Sequence, residues 1–136
     1  MVVFYTLDDK NGYKFGKKRQ SHDSAVADKM IEMSDGYVYM RSASLPFFKK
    51  SDLTRCRTFV EFEDIPDDAY VFLEEELPKD RIGAVNKIII FRWNRVYPAT
   101  QRLSLHGLGT PIEEFEGNSH EKISVIEYEA IFDEKE

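Results

Sequence analysis

Three histidines, one cysteine and two dense runs of carboxylates are the groups in this 136-residue sequence whose types and spacing invite a chemical reading. His106, Glu113, Glu114, His120 and Glu121 fall within sixteen positions and could offer nitrogen and oxygen to a metal ion. Their spacing follows no metal-binding pattern, so solvated loop residues are the expectation, with no metal and no other cofactor. Cys56 stands between Arg55 and Arg57, and neighbouring cations can make a thiol reactive. Adjacent residues of a strand point to opposite faces, however, which predicts an inert thiol beside two exposed arginines. The sequence holds no nucleophile elbow, phosphate-binding loop, dinucleotide fingerprint or paired-histidine zinc signature. No catalytic residue is therefore assigned, and the expectation is a binding protein and not an enzyme.

The carboxylates carry more information. Residues 1–60 contain eleven Lys/Arg and seven Asp/Glu, whereas residues 61–136 contain eight and eighteen, so a half of charge +4 precedes one of −10. Asp67 and Asp68 precede Glu74-Glu75-Glu76, and Glu113, Glu114 and Glu116 follow further on. Carboxylates packed this closely repel one another, and folding does not require them. Exposed together, they would attract a cationic partner and speed its association. The opposite possibility, a nucleic-acid surface at Lys14, Lys17, Lys18 and Arg19 interleaved with Tyr13 and Phe15, is short and sits in an acidic chain.

These groups need elements to position them. Val2 to Leu7 is rich in β-formers, and Asp8-Asp9-Lys10-Asn11-Gly12 is turn chemistry leading to a short strand at Tyr13-Lys14-Phe15. A helix is predicted from Ser21, as cap, to Met33, with Asp35-Gly36 as its stop and Tyr37 to Arg41 as a strand. Leu45 to Lys50 resists assignment because of Pro46, and Phe47 and Phe48 are expected to plug the core from a loop. Arg55 to Phe62 alternates as a strand would. Ala69 to Leu77 is ambiguous; Tyr70, Leu73 and Leu77 at helical spacing favour a short helix. Asn86 to Val96 is the clearest strand, with Ile88 and Ile90 on one face and Ile89, Phe91 and Trp93 on the other, as a central position requires. Thr100 to Leu105 is a further strand, His106 to Pro111 a loop, and Asn118 to Phe132 a last strand.

The predicted fold class is α+β: one domain over 1–136, a mostly antiparallel sheet of about five to six strands, and one or two helices packed on it. Its length and 42% hydrophobic content allow a full core. The single cysteine forbids an internal disulfide. No signal peptide is read in the opening residues, and the longest apolar run, Ile88 to Phe91, is far short of a membrane span. A cytoplasmic location is expected.

Glu74 to Asp80, then Ile88-Ile89-Ile90-Phe91-Arg92-Trp93-Asn94-Arg95-Val96-Tyr97-Pro98, then Glu113-Glu114-Phe115-Glu116-Gly117-Asn118-Ser119-His120-Glu121-Lys122-Ile123 resemble immunity proteins of bacterial contact-dependent growth inhibition systems. The resemblance covers roughly residues 65–125. It implies a cytoplasmic protein that binds the C-terminal domain of a cognate toxin, often a nuclease, and it transfers no site residue by motif. Joined to the charge pattern, it leads to an expected function: occlusion of a basic nuclease cleft, without contact to nucleic acid or membrane. The expected contact residues are Asp67, Asp68, Glu74, Glu75, Glu76, Glu113, Glu114 and Glu116. The alternatives are a small metal- or histidine-dependent hydrolase using His106 or His120, and a nucleic-acid-binding regulator using Lys14 to Arg19.

Overall fold

A seven-stranded sheet runs through the middle of the protein in the computed structural model, which describes residues 1–16, 18–19, 23–105, 109–118 and 121–129. The strands are β1 (Val2–Leu7), β2 (Gly12–Phe15), β3 (Lys18–Arg19), β4 (Val38–Met40), β5 (Cys56–Thr58), β6 (Tyr70–Phe72), β7 (Lys87–Trp93), β8 (Gln101–Arg102), β9 (Thr110–Glu116) and β10 (Lys122–Glu129). The large sheet has the order β5-β4-β6-β1-β7-β10-β9, and β3-β2-β8 form a small second sheet. A helix, α1 (Ser24–Ser34), links β1 with β4, and 3₁₀ segments occupy Ser42–Phe48, Leu53–Arg55, Phe62–Asp64 and Lys79–Ala84.

The α+β single-domain architecture is as the sequence indicates, but the sheet is mixed and not mostly antiparallel. β1 is parallel to both β6 and β7, and β4 is parallel to both β5 and β6. Only β10 reverses direction, pairing antiparallel with β7 and β9. Parallel neighbours need crossovers, and right-handed crossovers moving in opposite directions across a sheet must lie on opposite faces. The two cores obey this. One face buries α1 (Val26, Ala27, Met30, Ile31) together with Phe47 and Phe48 against Phe4, Phe72, Ile89, Phe91 and Trp93. The other buries Phe59, Phe62, Ile65 and Val85 with Tyr13 against Val3, Tyr5, Leu7, Val71, Ile88 and Ile90. The expected facing of Ile88 and Ile90 against Ile89, Phe91 and Trp93 is what β7 shows, since it lies between β1 and β10.

Several local expectations change. α1 begins at Ser24 with Asp23 as cap, not at Ser21, which lies outside the described residues; its left-handed end is at Asp35, φ 52°. Ala69–Leu77 is not helical. Tyr70–Phe72 is β6, inserted between β4 and β1, with Val71 and Phe72 facing the two different cores. Arg55–Phe62 yields only the three-residue edge strand β5, because Phe59 and Phe62 turn into the core beyond it. Leu45 to Phe48 lies in a 3₁₀ segment, and Phe47 and Phe48 do fill the core beneath it. Thr110–Glu116, outside every strand expected from the sequence, forms the sheet edge β9. Among the described residues no helix is long and apolar enough to cross a membrane.

Candidate functional site

In an open sheet with parallel strands, ligands gather outside the carboxyl ends of the strands, where the chain changes direction across the sheet. Here that place flanks β1. The chain leaves β1 towards β4 on one side, and later crosses from β6 over β1 to β7 on the other. The exits are Asp8 after β1, Arg41 after β4, Phe59 after β5, Leu73 to Glu76 after β6 and Asn94 after β7.

Asp8 organises the first exit. Its Oδ1 accepts the amides of Lys10 and Gly12, each at 2.8 Å, and its Oδ2 accepts the Tyr97 amide at 2.9 Å. Its carbonyl accepts Arg92 Nη1 at 2.6 Å, which ties the ends of β1 and β7 together. The Asn-Gly pair serves the turn as expected, Asn11 taking φ 64°. Asp8 is therefore a buried brace of the loop.

Arg41 closes the other side. Its guanidinium forms a fork onto Glu75, Nε to Oε1 at 2.9 Å and Nη2 to Oε2 at 3.1 Å, and its Nη1 donates to the Val60 carbonyl. The same group lies 4.6 Å from the ring centre of Phe59 and 4.8 Å from that of Phe62. The Glu75 hydrogen bond, ahead of the opposing desolvation, holds the Arg41 pKa above its ordinary value. Beside it, Ser44 Oγ donates to Glu74 Oε1 at 2.7 Å, and Glu74 is buried.

Two tyrosines stand against the β6 exit on the face that also holds Phe59 and Phe62. Tyr5 donates its hydroxyl to the Glu75 carbonyl at 2.6 Å, and its ring centre is 6.0 Å from that of Tyr13. Burial raises the pKa of both phenols, and the negative charges of Glu75 and Glu76 raise them further. Both are thus neutral hydrogen-bond donors at physiological pH. Glu76 is exposed at the rim.

The N-terminus of α1 meets the β9–β10 turn. Asp23 Oδ1 accepts Ala25 N at 2.9 Å and Asn118 N at 3.1 Å, and Asn118 Nδ2 donates to Ser24 Oγ. Gly117 makes this contact possible: a Cβ there would stand 2.3 Å from Asp23 Oδ2.

The eight carboxylates expected to form one surface fall in three places. Glu74, Glu75 and Glu76 lie at the carboxyl end of β6, whereas Asp67 and Asp68 lie exposed before its amino end, about 20 Å away along an extended chain. Glu113, Glu114 and Glu116 lie on β9, four strands from β6 and so about 19 Å across the sheet. Glu75 is bound to Arg41, Glu74 to Ser44, and Glu113 to Lys29 Nζ at 2.7 Å. Asp67 Oδ1 is 3.9 Å from Arg81 Nη2. They do not make a single docking face. His106 and His120 lie outside the described residues, as does Lys17; among the described residues no group of three or more His, Cys, Asp or Glu is gathered as for a metal. Burial raises the Cys56 pKa, in keeping with an inert thiol. Arg41 and Tyr5 escaped the sequence reading because nothing in their own neighbourhoods marks them, and Tyr13 reads only as part of a basic, aromatic patch with Lys14 to Arg19. Recognising β1, β4 and β6 as parallel would have singled out the residues just beyond their ends.

No family model matches the sequence, and no curated protein matches it. The fold is similar to that of a solved structure described as dihydrofolate reductase from Enterococcus faecalis complexed with NADP(H) and RAB-propyl. The TM-score is 0.59 over 95% of this chain and 96% of that one, at 9% sequence identity, a likeness of fold. Because the likeness to an enzyme spans nearly the whole chain, it overturns the expectation of a non-enzymatic immunity protein that occludes a nuclease.

Proposed function

We propose that this chain is an enzyme acting on a small organic molecule seated at the carboxyl ends of β1, β6 and β7. The observation that carries this reading is the strand order: these ends flank the switch point of a fold similar, end to end, to that of a reductase. The structure of that reductase is described as holding two small molecules, NADP(H) and RAB-propyl.

The polar groups of this chain at the same end suit hydrogen bonding to a small polar ligand. Tyr5 and Tyr13 supply neutral phenols, and the Glu75 and Glu76 carboxylates act electrostatically on both. The raised pKa values keep both phenols protonated, so they act as hydrogen-bond donors, and the exposed Glu76 carboxylate is the group able to accept a hydrogen bond from a heteroatom of a bound ring. Asp8 and Arg92 hold the floor of the site by joining β1 to β7.

Crystals soaked with a library of uncharged and basic heterocyclic fragments test the location. Fragments should collect between the β1 and β6 exits, in contact with Tyr13 or Glu76. Fragments found only at other surfaces would refute the reading. For a heterocycle bound at these exits, Glu76→Gln should weaken binding while leaving the melting temperature unchanged, since Glu76 is exposed.

A further inference from the structure

We infer that the strand exits beside β6 refuse a phosphate-bearing dinucleotide, because the β6 exit carries the Glu75 and Glu76 carboxylates and the Arg41 guanidinium there is already bound to Glu75. NADP(H), described in the reductase of similar fold, is the group against which the residues can be tested.

A pyrophosphate is held in such folds by glycine-rich turns that let backbone amides approach, by a helix N-terminus, and by free cations. Each provision is missing or already used at the β4 and β6 exits. The turn after β6 reads Leu73-Glu74-Glu75-Glu76-Leu77-Pro78, without glycine and with the carboxylates of Glu75 and Glu76 at the exit, Glu74 being buried against Ser44. The turn after β4 reads Arg41-Ser42-Ala43-Ser44, also without glycine, and enters a 3₁₀ segment of seven residues, not an α-helix. α1 does present its N-terminus on this side, but Asp23 already accepts Ala25 N there, and Asn118 closes over it.

The arginines of the β4 and β7 exits are also committed, while Lys10 in the β1 turn is exposed. Arg41 spends its fork on Glu75 and its remaining arm on the Val60 carbonyl, between the rings of Phe59 and Phe62. Arg92 is bound to the Asp8 carbonyl, and Arg95 to Glu121 at 2.8 Å. A dinucleotide would have to displace the Arg41–Glu75 pair and leave Glu75 and Glu76 facing its phosphates. Like charges brought together this way oppose association strongly.

The inference does not depend on the enzymatic reading, and the two fail separately: heterocyclic fragments can bind where NADPH does not. Calorimetry and thermal unfolding with NADPH and with inorganic pyrophosphate test it on the intact chain. At about 1 mM, neither should change the melting temperature, although a ligand at roughly a hundred times its Kd would raise it by several degrees. The double variant E75Q/E76Q frees Arg41 and removes two negative charges. It should bind pyrophosphate at least about tenfold more tightly than the wild type. Saturable NADPH binding by the wild-type protein would overturn the inference. So would a folded E75Q/E76Q protein as indifferent to pyrophosphate as the wild type. E76Q alone, at an exposed position, gives a smaller gain in the same direction should the double variant not fold.

Discussion

Arg41→Ala should be among the most damaging substitutions at a partly exposed site in this protein. Arg41 joins three strand exits: its own after β4, the Val60 carbonyl after β5, and Glu75 after β6. The ion pair has about a third of each side chain in solvent (33% for Arg41 and 37% for Glu75), so screening limits it to about 1 kcal/mol even as a bidentate fork. The bond to the Val60 carbonyl contributes about 1 kcal/mol. The two ring contacts, at 4.6 and 4.8 Å, add about 0.5 kcal/mol each. The sum is about 3 kcal/mol, which for a domain of this size lowers the melting temperature by about 10 °C. Only the first part is shared with Glu75. A double-mutant cycle of Arg41→Ala and Glu75→Gln in urea should therefore give a coupling of about 1 kcal/mol, shrinking in high salt while most of the Arg41→Ala loss persists. Arg41→Lys should recover little, since an ammonium cannot make the fork. An Arg41→Ala protein within about 0.5 kcal/mol of wild type would refute the view that this residue fastens the exits together, and so would a coupling that accounted for the entire loss.

Phe72→Ala should destabilise by about 3–5 kcal/mol in denaturant titration, because Phe72 is fully buried with its ring centre 4.8 Å from that of Phe47 and 5.6 Å from that of Phe48. Gly117→Ala should lower stability by about 1–2 kcal/mol, the range of a lost cap, because its Cβ would drive Asp23 from the α1 N-terminus; Asp23→Ala in the same background should then add little. Burial raises the Tyr5 phenol pKa above its unfolded value, so its stabilising contribution is complete below about pH 10 and declines at higher pH. Tyr5→Phe should therefore flatten the loss of stability measured between about pH 10 and 11.5, while removing the hydrogen bond to the Glu75 carbonyl at all pH values.

Where an element's environment is uniform along its length, its residues announce it. β7 is covered on both faces, so its unbroken Ile88-Ile89-Ile90-Phe91 run could be read as a central strand with the correct facing. α1 is covered on one face, so Val26, Met30 and Ile31 gave its helical stripe away. β6 is equally buried, but it is three residues long. At that length Tyr70-Val71-Phe72-Leu73 fits a helical turn as well as a strand, and only the gap between β4 and β1 decides the matter. β9 reads as loop because Pro111, Glu113, Glu114 and Glu116 are the residues of a protected edge; it is a strand because β10 offers it a free row of hydrogen-bonding groups.

The cluster at the strand exits was less legible still. Its members come from residues 5, 8, 13, 41, 44 and 74–76, brought together only once the sheet has placed β6 beside β1. The acidic runs were visible as composition, but composition does not say which carboxylate meets which cation. Charge is a property of each residue, whereas an electrostatic surface depends on distances that the strand order sets.

By itself, the amino-acid sequence determined that the chain has a core of its own, which stretches enter it, and which residues turn the chain at Asn11-Gly12 and Asp35-Gly36, because solvent exclusion and backbone sterics act residue by residue. The parallel order of β5, β4, β6, β1 and β7, the fork of Arg41 on Glu75 and the dispersal of the acidic residues were decided only in three dimensions. They are relations between residues distant in the chain, and the local pattern around each one is compatible with several partners.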